Sequence, residues 1–272
     1  MMTRLAIFVL TVCLAPAIAG AMRMEPAALD TLPRADVVIL GEVHDNPRHH
    51  ENQARALAAL EPAAVVFEML RPEQAAQVTP GNRADPVALA EALGWAESGW
   101  PDFAMYHPLF TAAPGAAIVG GALPRATVRR AMGEDPAAIF GEGAAEYGLA
   151  APLPEAEQTA READQMAAHC DALPPEMLPG MVAAQRLRDA ALARAVVEAA
   201  EMHGTPVALV TGNGHAHLRR GVPAALRRAR PGLEVLSIGQ LESDPLPPAP
   251  YDRWLVTAPA DRADPCAAFR GD

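Results

Sequence analysis

Val37-Val38-Ile39-Leu40-Gly41-Glu42-Val43-His44-Asp45-Asn46-Pro47-Arg48-His49-His50 decides how the rest of the chain is read. Four β-favouring residues run into Gly41 and read as a buried strand, and Asn46 before Pro47 reads as the N-cap and first residue of a helix. On an extended segment Glu42 and His44 are two apart and point to the same side. A carboxylate and an imidazole together at a strand's carboxyl end suit a metal or an acid/base site. The plainer reading, a polar strand end with solvated histidines, stands beside it for this segment alone. His49 and His50 fall in the first turn of the helix, as supporting or helix-surface residues.

The same arrangement recurs downstream. Residues 63–69 form a second apolar run whose acid, Glu68, again lies at the carboxyl end, so the first strand, the helix over 47–60 and this strand read as a βαβ unit with a parallel pair. Residues 206–210 form another buried strand and run into Thr211-Gly212-Asn213-Gly214-His215-Ala216-His217, where glycines let the backbone turn and hold a histidine up. Further strands are expected at 116–119 and 233–238 and an edge strand at 254–257, with helices over 155–170, 181–203 and 221–228. The alternation predicts one α/β domain, a mostly parallel sheet flanked by helices, with its core at about 36–240 and a helical insertion at about 71–114. Ligands of such sheets gather outside the carboxyl ends of the strands. Glu42, His44, Glu68 and His215 all fall there, and two imidazoles with one or two carboxylates fit a divalent Zn, Mn, Fe or Co site with positions open for water. A water on such a metal, with Glu42 or Glu68 as general base, would give a hydrolase.

Two other stretches carry signal. The insertion concentrates Trp95, Trp100, Phe103, Tyr106, His107 and Phe110 in a chain only 4% aromatic, as a ligand-contact region or a satellite core. In the helix over 181–203, Val182, Gln185, Asp189, Leu192 and Val196 share one stripe, which places an amide and a carboxylate on an apolar face. They support a site or mark the edge of the stripe.

Composition removes several classes. The formal net charge of -11 becomes -12 if residues 1–19 are removed, since these hold Arg4 and no acid. Such a chain repels polyanions, so nucleic acid is not an expected partner. There is no lysine, which excludes a P-loop and a Schiff-base enzyme, and Ser98, Ser237 and Ser243 do not lie in a G-x-S-x-G elbow. Residues 1–19 have a short basic start, an apolar run and a small-x-small end, the pattern of a Sec-type signal peptide for export to the periplasm. Cys13 follows Val12, which is not the small residue a lipid anchor requires, so a cleaved product without a transmembrane segment is expected. Cys170 and Cys266 then remain, a pair that an oxidising compartment could join.

Gly41 to Pro47 with His50, the Phe67-Glu68-Met69 strand end, Ala184-Gln185 with Asp189, and Gly212 to His215 with Gly221-Val222-Pro223 together resemble the ChaN family of the haem-binding uptake and Tiki superfamily, which also holds erythromycin-esterase-like and TraB-like proteins. The motifs spread over about residues 36–240, and Gly41 to His44 and Gly212 to His215 match the superfamily's G-x-x-H pattern. The resemblance implies an exported haem-binding protein linked to iron or haem uptake. Its alternative is a metal-dependent hydrolase of the Tiki or erythromycin-esterase kind, acting on a small-molecule or peptide ligand. The candidate metal set is Glu42, His44, Glu68 and His215, supported by Asn46, His50, Gln185, Asp189 and Asn213. The haem ligands stay open: no tyrosine precedes Tyr106, so Tyr106, Tyr147 or Tyr251 would have to serve. A homodimer holding haem between subunits follows from the resemblance alone.

Overall fold

The computed structural model describes residues 21–246, 249–264 and 266–267. The expected signal peptide lies outside them. Seven strands build one sheet: β1 (Met22–Arg23), β2 (Val37–Glu42), β3 (Ala64–Phe67), β4 (Ala117–Gly120), β5 (Val207–Gly212), β6 (Val235–Leu241) and β7 (Arg253–Val256). Their order is β1-β7-β6-β2-β5-β3-β4, and every pairing is parallel. The expected α/β class therefore holds, with two corrections. β2 and β3 are not neighbours, because β5 inserts between them and pairs with both. Residues 254–257 do not form an edge, because β1 pairs outside β7.

Among the described residues ten α-helices connect the strands: α1 (Pro47–Leu60), α2 (Pro72–Ala75), α3 (Pro86–Leu93), α4 (Phe103–Ala112), α5 (Arg125–Arg130), α6 (Pro136–Phe140), α7 (Glu155–Ala168), α8 (Leu178–His203), α9 (Asn213–Ala216) and α10 (Val222–Ala229). The Asn46 side chain accepts from the Arg48 amide at 3.0 Å, which satisfies one of the free donors that start α1. Among the described residues no helix is long and apolar enough to cross a membrane.

The central strands are buried on both faces, so alternate residues enter two separate cores. Val38, Leu40, Val65, Phe67, Ala208 and Val210 face the layer formed by α1 and α4, where Phe67 stacks on Phe110 with centroids 4.6 Å apart. Val37, Ile39, Ala64, Val66, Val207 and Leu209 face the layer of α8 and α10. Burying one such side chain is worth about 1.5–3 kcal/mol, so the alternation fixes the strand register. It also fixes where the strand-end acids go. Glu42 continues the parity of Val38 and Leu40 towards α1 and α4, and Glu68 continues that of Ala64 and Val66 towards α8.

A disulfide joins Cys170, just past α7, to Cys266 near the carboxyl terminus. The terminal segment is also tied to the start of α1. Asn46 donates to Glu242 and to the Ala258 carbonyl, and Arg262 pairs with Asp45 and Glu242.

Candidate functional site

Because β5 lies between β2 and β3, the carboxyl ends of three adjacent strands bring Glu42, Glu68 and the β5-α9 turn together. Gly212 makes this approach possible: a Cβ there would lie 2.7 Å from His44 Nε2. Gly221 does the same behind His215, whose carbonyl oxygen would be 2.1 Å from an added Cβ. Either position tolerates no larger residue without displacing a histidine.

On the α1/α4 side, Glu42 is buried. Its Oε1 lies 2.7 Å from His44 Nδ1 and accepts a hydrogen bond from the Tyr106 hydroxyl at 3.1 Å. Tyr106 also donates to the His44 carbonyl. His50 Nε2 reaches 3.2 Å from Glu42 Oε2 as an ion-pair contact without hydrogen-bond alignment, and its ring packs on Tyr106. Burial opposes ionisation of Glu42, but the His44 and His50 imidazoles outweigh it and hold the carboxyl at about 2. Burial likewise works against a charged His44, and Glu42 and Glu68 overcome it to raise its pKa. The His44 side chain is 33% exposed and leans on Trp100 with ring centroids 4.8 Å apart.

On the α8 side, every oxygen of Glu68 is engaged. Oε2 accepts from the Thr211 hydroxyl at 2.6 Å and the Gly212 amide at 2.7 Å, while Oε1 takes the Arg188 guanidinium and lies 3.5 Å from His215 Nε2. Burial opposes this charge too, and His215, Arg188 and His44 hold Glu68 at about 2. His215 Nδ1 meets Asp189 Oδ1 at 2.6 Å, with the Gln185 amide nitrogen 3.2 Å from the same ring atom. Burial raises the pKa of Asp189 against the pull of His215. The polar pair on the apolar stripe of α8 thus serves the strand ends.

Glu42, His44, Glu68 and His215 converge, but not as a metal cage. Among the described residues no group of three or more His, Cys, Asp or Glu side chains is arranged to hold a metal ion. The divalent-metal reading is therefore unsupported, and the reason is visible in the partners: Arg188, Thr211 and the Gly212 amide occupy the Glu68 oxygens, and Asp189 occupies His215 Nδ1. Asn46 and Asn213 brace rather than face the site, since Asn213 bonds the backbone of Gln240 on β6.

Sequence reasoning underrated His50, which the first turn of α1 carries under the sheet edge, and it missed Arg188. Arg188 lies three residues after Gln185 and four before Leu192 on the same side of α8, but an arginine beside an apolar stripe is most simply a solvated residue, and only the fold brings it to Glu68. The aromatic insertion is not a satellite core but part of the main one on its face of the sheet. Trp95, Phe103 and Phe110 join the core, while Tyr106 and Trp100 reach the candidate site.

Lined by Trp100 and Glu68, the two residues that connect it to His44, is a cavity of about 540 Å³, within the range of about 300–1,000 Å³ usual for small-molecule and cofactor sites. Trp100, Met69, Leu123, Val128, Met132 and Leu192 give it apolar walls, and Glu68, Arg71, Arg125, Arg129 and Arg188 line it as well. Arg188 is held by Glu68, Arg71 by Glu73 and Arg125 by the Ser98 carbonyl. Arg129 has no side-chain hydrogen bond or ion pair to any described residue.

ChaN of Campylobacter jejuni, described by its cofacial heme binding, matches this structure with a TM-score of 0.61 at 21% identity, over 80% of this chain and 86% of that one. The type III effector HopBA1 aligns over 86% of this chain and 92% of its own at 14% identity and a TM-score of 0.44. An open-conformation erythromycin esterase, EreC, aligns over 80% and 68% at 12% identity and a TM-score of 0.40. A comparison with curated proteins gives no match. The family model described as haem-binding uptake, Tiki superfamily, ChaN matches residues 28–226, well over half of the chain, and the protein belongs to that family.

Proposed function

We propose that this protein is an exported haem-binding protein serving iron or haem uptake, with haem entering the cavity lined by Trp100 and Arg129. One observation carries the reading: a cavity of cofactor size with apolar walls and a guanidinium, Arg129, left without a partner among the described residues. Haem is a flat apolar ring with two carboxylates, so the donor chemistry of this chain suits it. Trp100, Met69, Met132 and Leu192 would receive the ring, and Arg129 would receive a carboxylate in a charge-assisted bond. Arg71, Arg125 and Arg188 already have partners, so Arg129 is the guanidinium of this wall that a ligand carboxylate would meet. Haem bound here supplies the iron centre, and the protein's part is to orient it and exclude water.

The test is titration of purified protein with hemin, expecting a saturable Soret shift; no shift at micromolar hemin rejects the reading. The cavity opens to solvent, which suits the family expectation of haem shared between two copies. Sedimentation with and without hemin should then show a haem-dependent dimer, and a monomer at saturation rejects that part. Export follows from the signal-like residues 1–19 and suits the Cys170–Cys266 disulfide. Mass spectrometry of periplasmic protein should find a mature chain starting near residue 20, and uncleaved protein in the cytoplasm would contradict export.

The Asp189–His215 pair favours a second reading, hydrolysis. An imidazole oriented by a buried carboxylate is the arrangement of a general base, contributing about 10²–10⁴-fold to a rate. Saturable turnover of chromogenic esters or peptides, lost in His215→Ala, would support it; turnover unchanged in that variant would reject it.

A further inference from the structure

We propose that a second, smaller cavity, on the α8 side of the sheet beside Asp189, binds a phosphate group, either free or at the end of a small molecule. Five arginines from four separate segments line it: Arg161 on α7, Arg186 on α8, Arg219 and Arg220 between α9 and α10, and Arg228 on α10. It shares no lining residue with the cavity of Trp100 and Arg129, so the inference stands apart from the haem reading. Its volume of about 90 Å³ is several times what one water needs and far below the roughly 300 Å³ at which cofactor sites begin. That is room for one small polyatomic anion.

The partners of the five guanidiniums show how much charge is left over. Arg161 pairs with Glu157 through Nε and Nη2, and Arg220 pairs with Asp164. Arg186 spends Nη2 on the carbonyls of Gly148 and Ala151, which carry no charge to offset its own. Arg219 and Arg228 have no side-chain hydrogen bond or ion pair to any described residue. Glu157 and Asp189 are the acids on the wall, and Asp189 is committed to His215 at 2.6 Å. Three guanidiniums therefore line the cavity without a carboxylate of their own, in a chain where acids outnumber bases 33 to 22.

Local structure holds these charges together. Gly148 has a φ of +81°, in the left-handed region, and a Cβ added there would lie 3.0 Å from Arg228 Cδ and 3.2 Å from its Nε. The glycine thus lets Arg228 lie on the loop whose carbonyl takes Arg186. Burial, and then the charges of Arg161 and Arg228, lower the pKa of Arg186, and Glu157 offsets them only in part. A bound anion relieves that repulsion. Guanidinium forks match the oxygens of a phosphate, which presents enough of them for several arginines at once. The negative charge of the whole chain repels a polyanion, so a single phosphate group fits this site better than a nucleic acid.

Calorimetric titration of the purified protein with inorganic phosphate in chloride buffer, and separately with glycerol 3-phosphate, tests the site. Saturable binding to one site is expected. It should weaken about tenfold or more in Arg186→Gln and in Arg228→Ala, which trims an exposed side chain and spares the fold, and should be unchanged in Arg129→Ala. Hemin uptake by Arg228→Ala should match wild type. Tighter binding of glycerol 3-phosphate marks the end of a larger molecule as the ligand, and equal or weaker binding marks free phosphate. No saturation by either probe up to about 10 mM overturns the proposal. Binding that survives both Arg228→Ala and Arg186→Gln overturns it too, as does binding lost in Arg129→Ala, which places the anion in the other cavity.

Discussion

The two faces of the sheet edge carry one buried glutamate each, and they use it differently. Towards α8, Glu68 is saturated: Arg188, Thr211, the Gly212 amide and His215 surround both oxygens, and Asp189 completes the network from behind. Towards α1 and α4, Glu42 spends its bonds on Tyr106 and on His44, whose ring is partly exposed and leans on Trp100. A saturated buried network is worth little in net stability but is costly to break, because a removed partner leaves a charge stranded. A half-open one holds a side chain ready for a ligand. The first face ties the strand ends together, and the second leaves a partly exposed imidazole against Trp100.

Acid should break both faces at once and gives the largest effect. Glu42 and Glu68 are held at about 2 against an ordinary 4.5, so the stability they contribute is complete above 4.5 and is lost as pH falls towards 2. Asp189, raised by burial, acts in the opposite sense and softens the loss on the α8 face. Denaturation across this range should show falling unfolding free energy, and a flat profile would show that the carboxylates are not buried as charges.

Glu68→Gln comes next. It removes the charge that Arg188 and His215 face, and urea denaturation should register a loss of about 3–5 kcal/mol. A loss under about 1 kcal/mol would erase the distinction between the faces. Arg129→Ala touches neither glutamate, so its effect should appear in the ligand: hemin binding weakened about tenfold or more, as for one charge-assisted hydrogen bond of about 1.5–3 kcal/mol, with spectra unchanged. The smallest effect on folding is expected from His44→Ala, about 1 kcal/mol, because the ring is part-exposed and Glu42 keeps Tyr106 and His50. If His44→Ala destabilises as much as Glu68→Gln, His44 is a brace as well and the contrast fails. His44 also reverses the pH sign. Its raised pKa contributes stability below about 6.5 that disappears as pH climbs through the folded value, so the variant should flatten the neutral side of the profile.

Much of this was legible in the residues. Val37 to Leu40 ending in Gly41-Glu42 announced a buried strand delivering an acid, Asn46-Pro47 announced α1, and the amide and carboxylate on the apolar stripe of α8 announced a buried polar contact. Glu68 and His215 were placed at strand ends correctly because apolar runs bounded by glycine and proline are local signals. His50 was placed in the correct turn of α1 and given too small a part, since a helix's first turn is polar on any wheel until something covers it.

What the sequence alone determined was the parallel α/β class, the strand ends and the residue types gathered there, because burial parity and capping depend on neighbours a few positions away. Tertiary structure decided the rest. The insertion of β5 between β2 and β3 is a long-range pairing, and that order brings His215 against Glu68. The same packing sent Glu42 and Glu68 to opposite faces, gave Glu68 to Arg188, and left the His44 ring partly exposed against Trp100. Electrostatic partnership is decided by distance in space, which no spacing along the chain encodes.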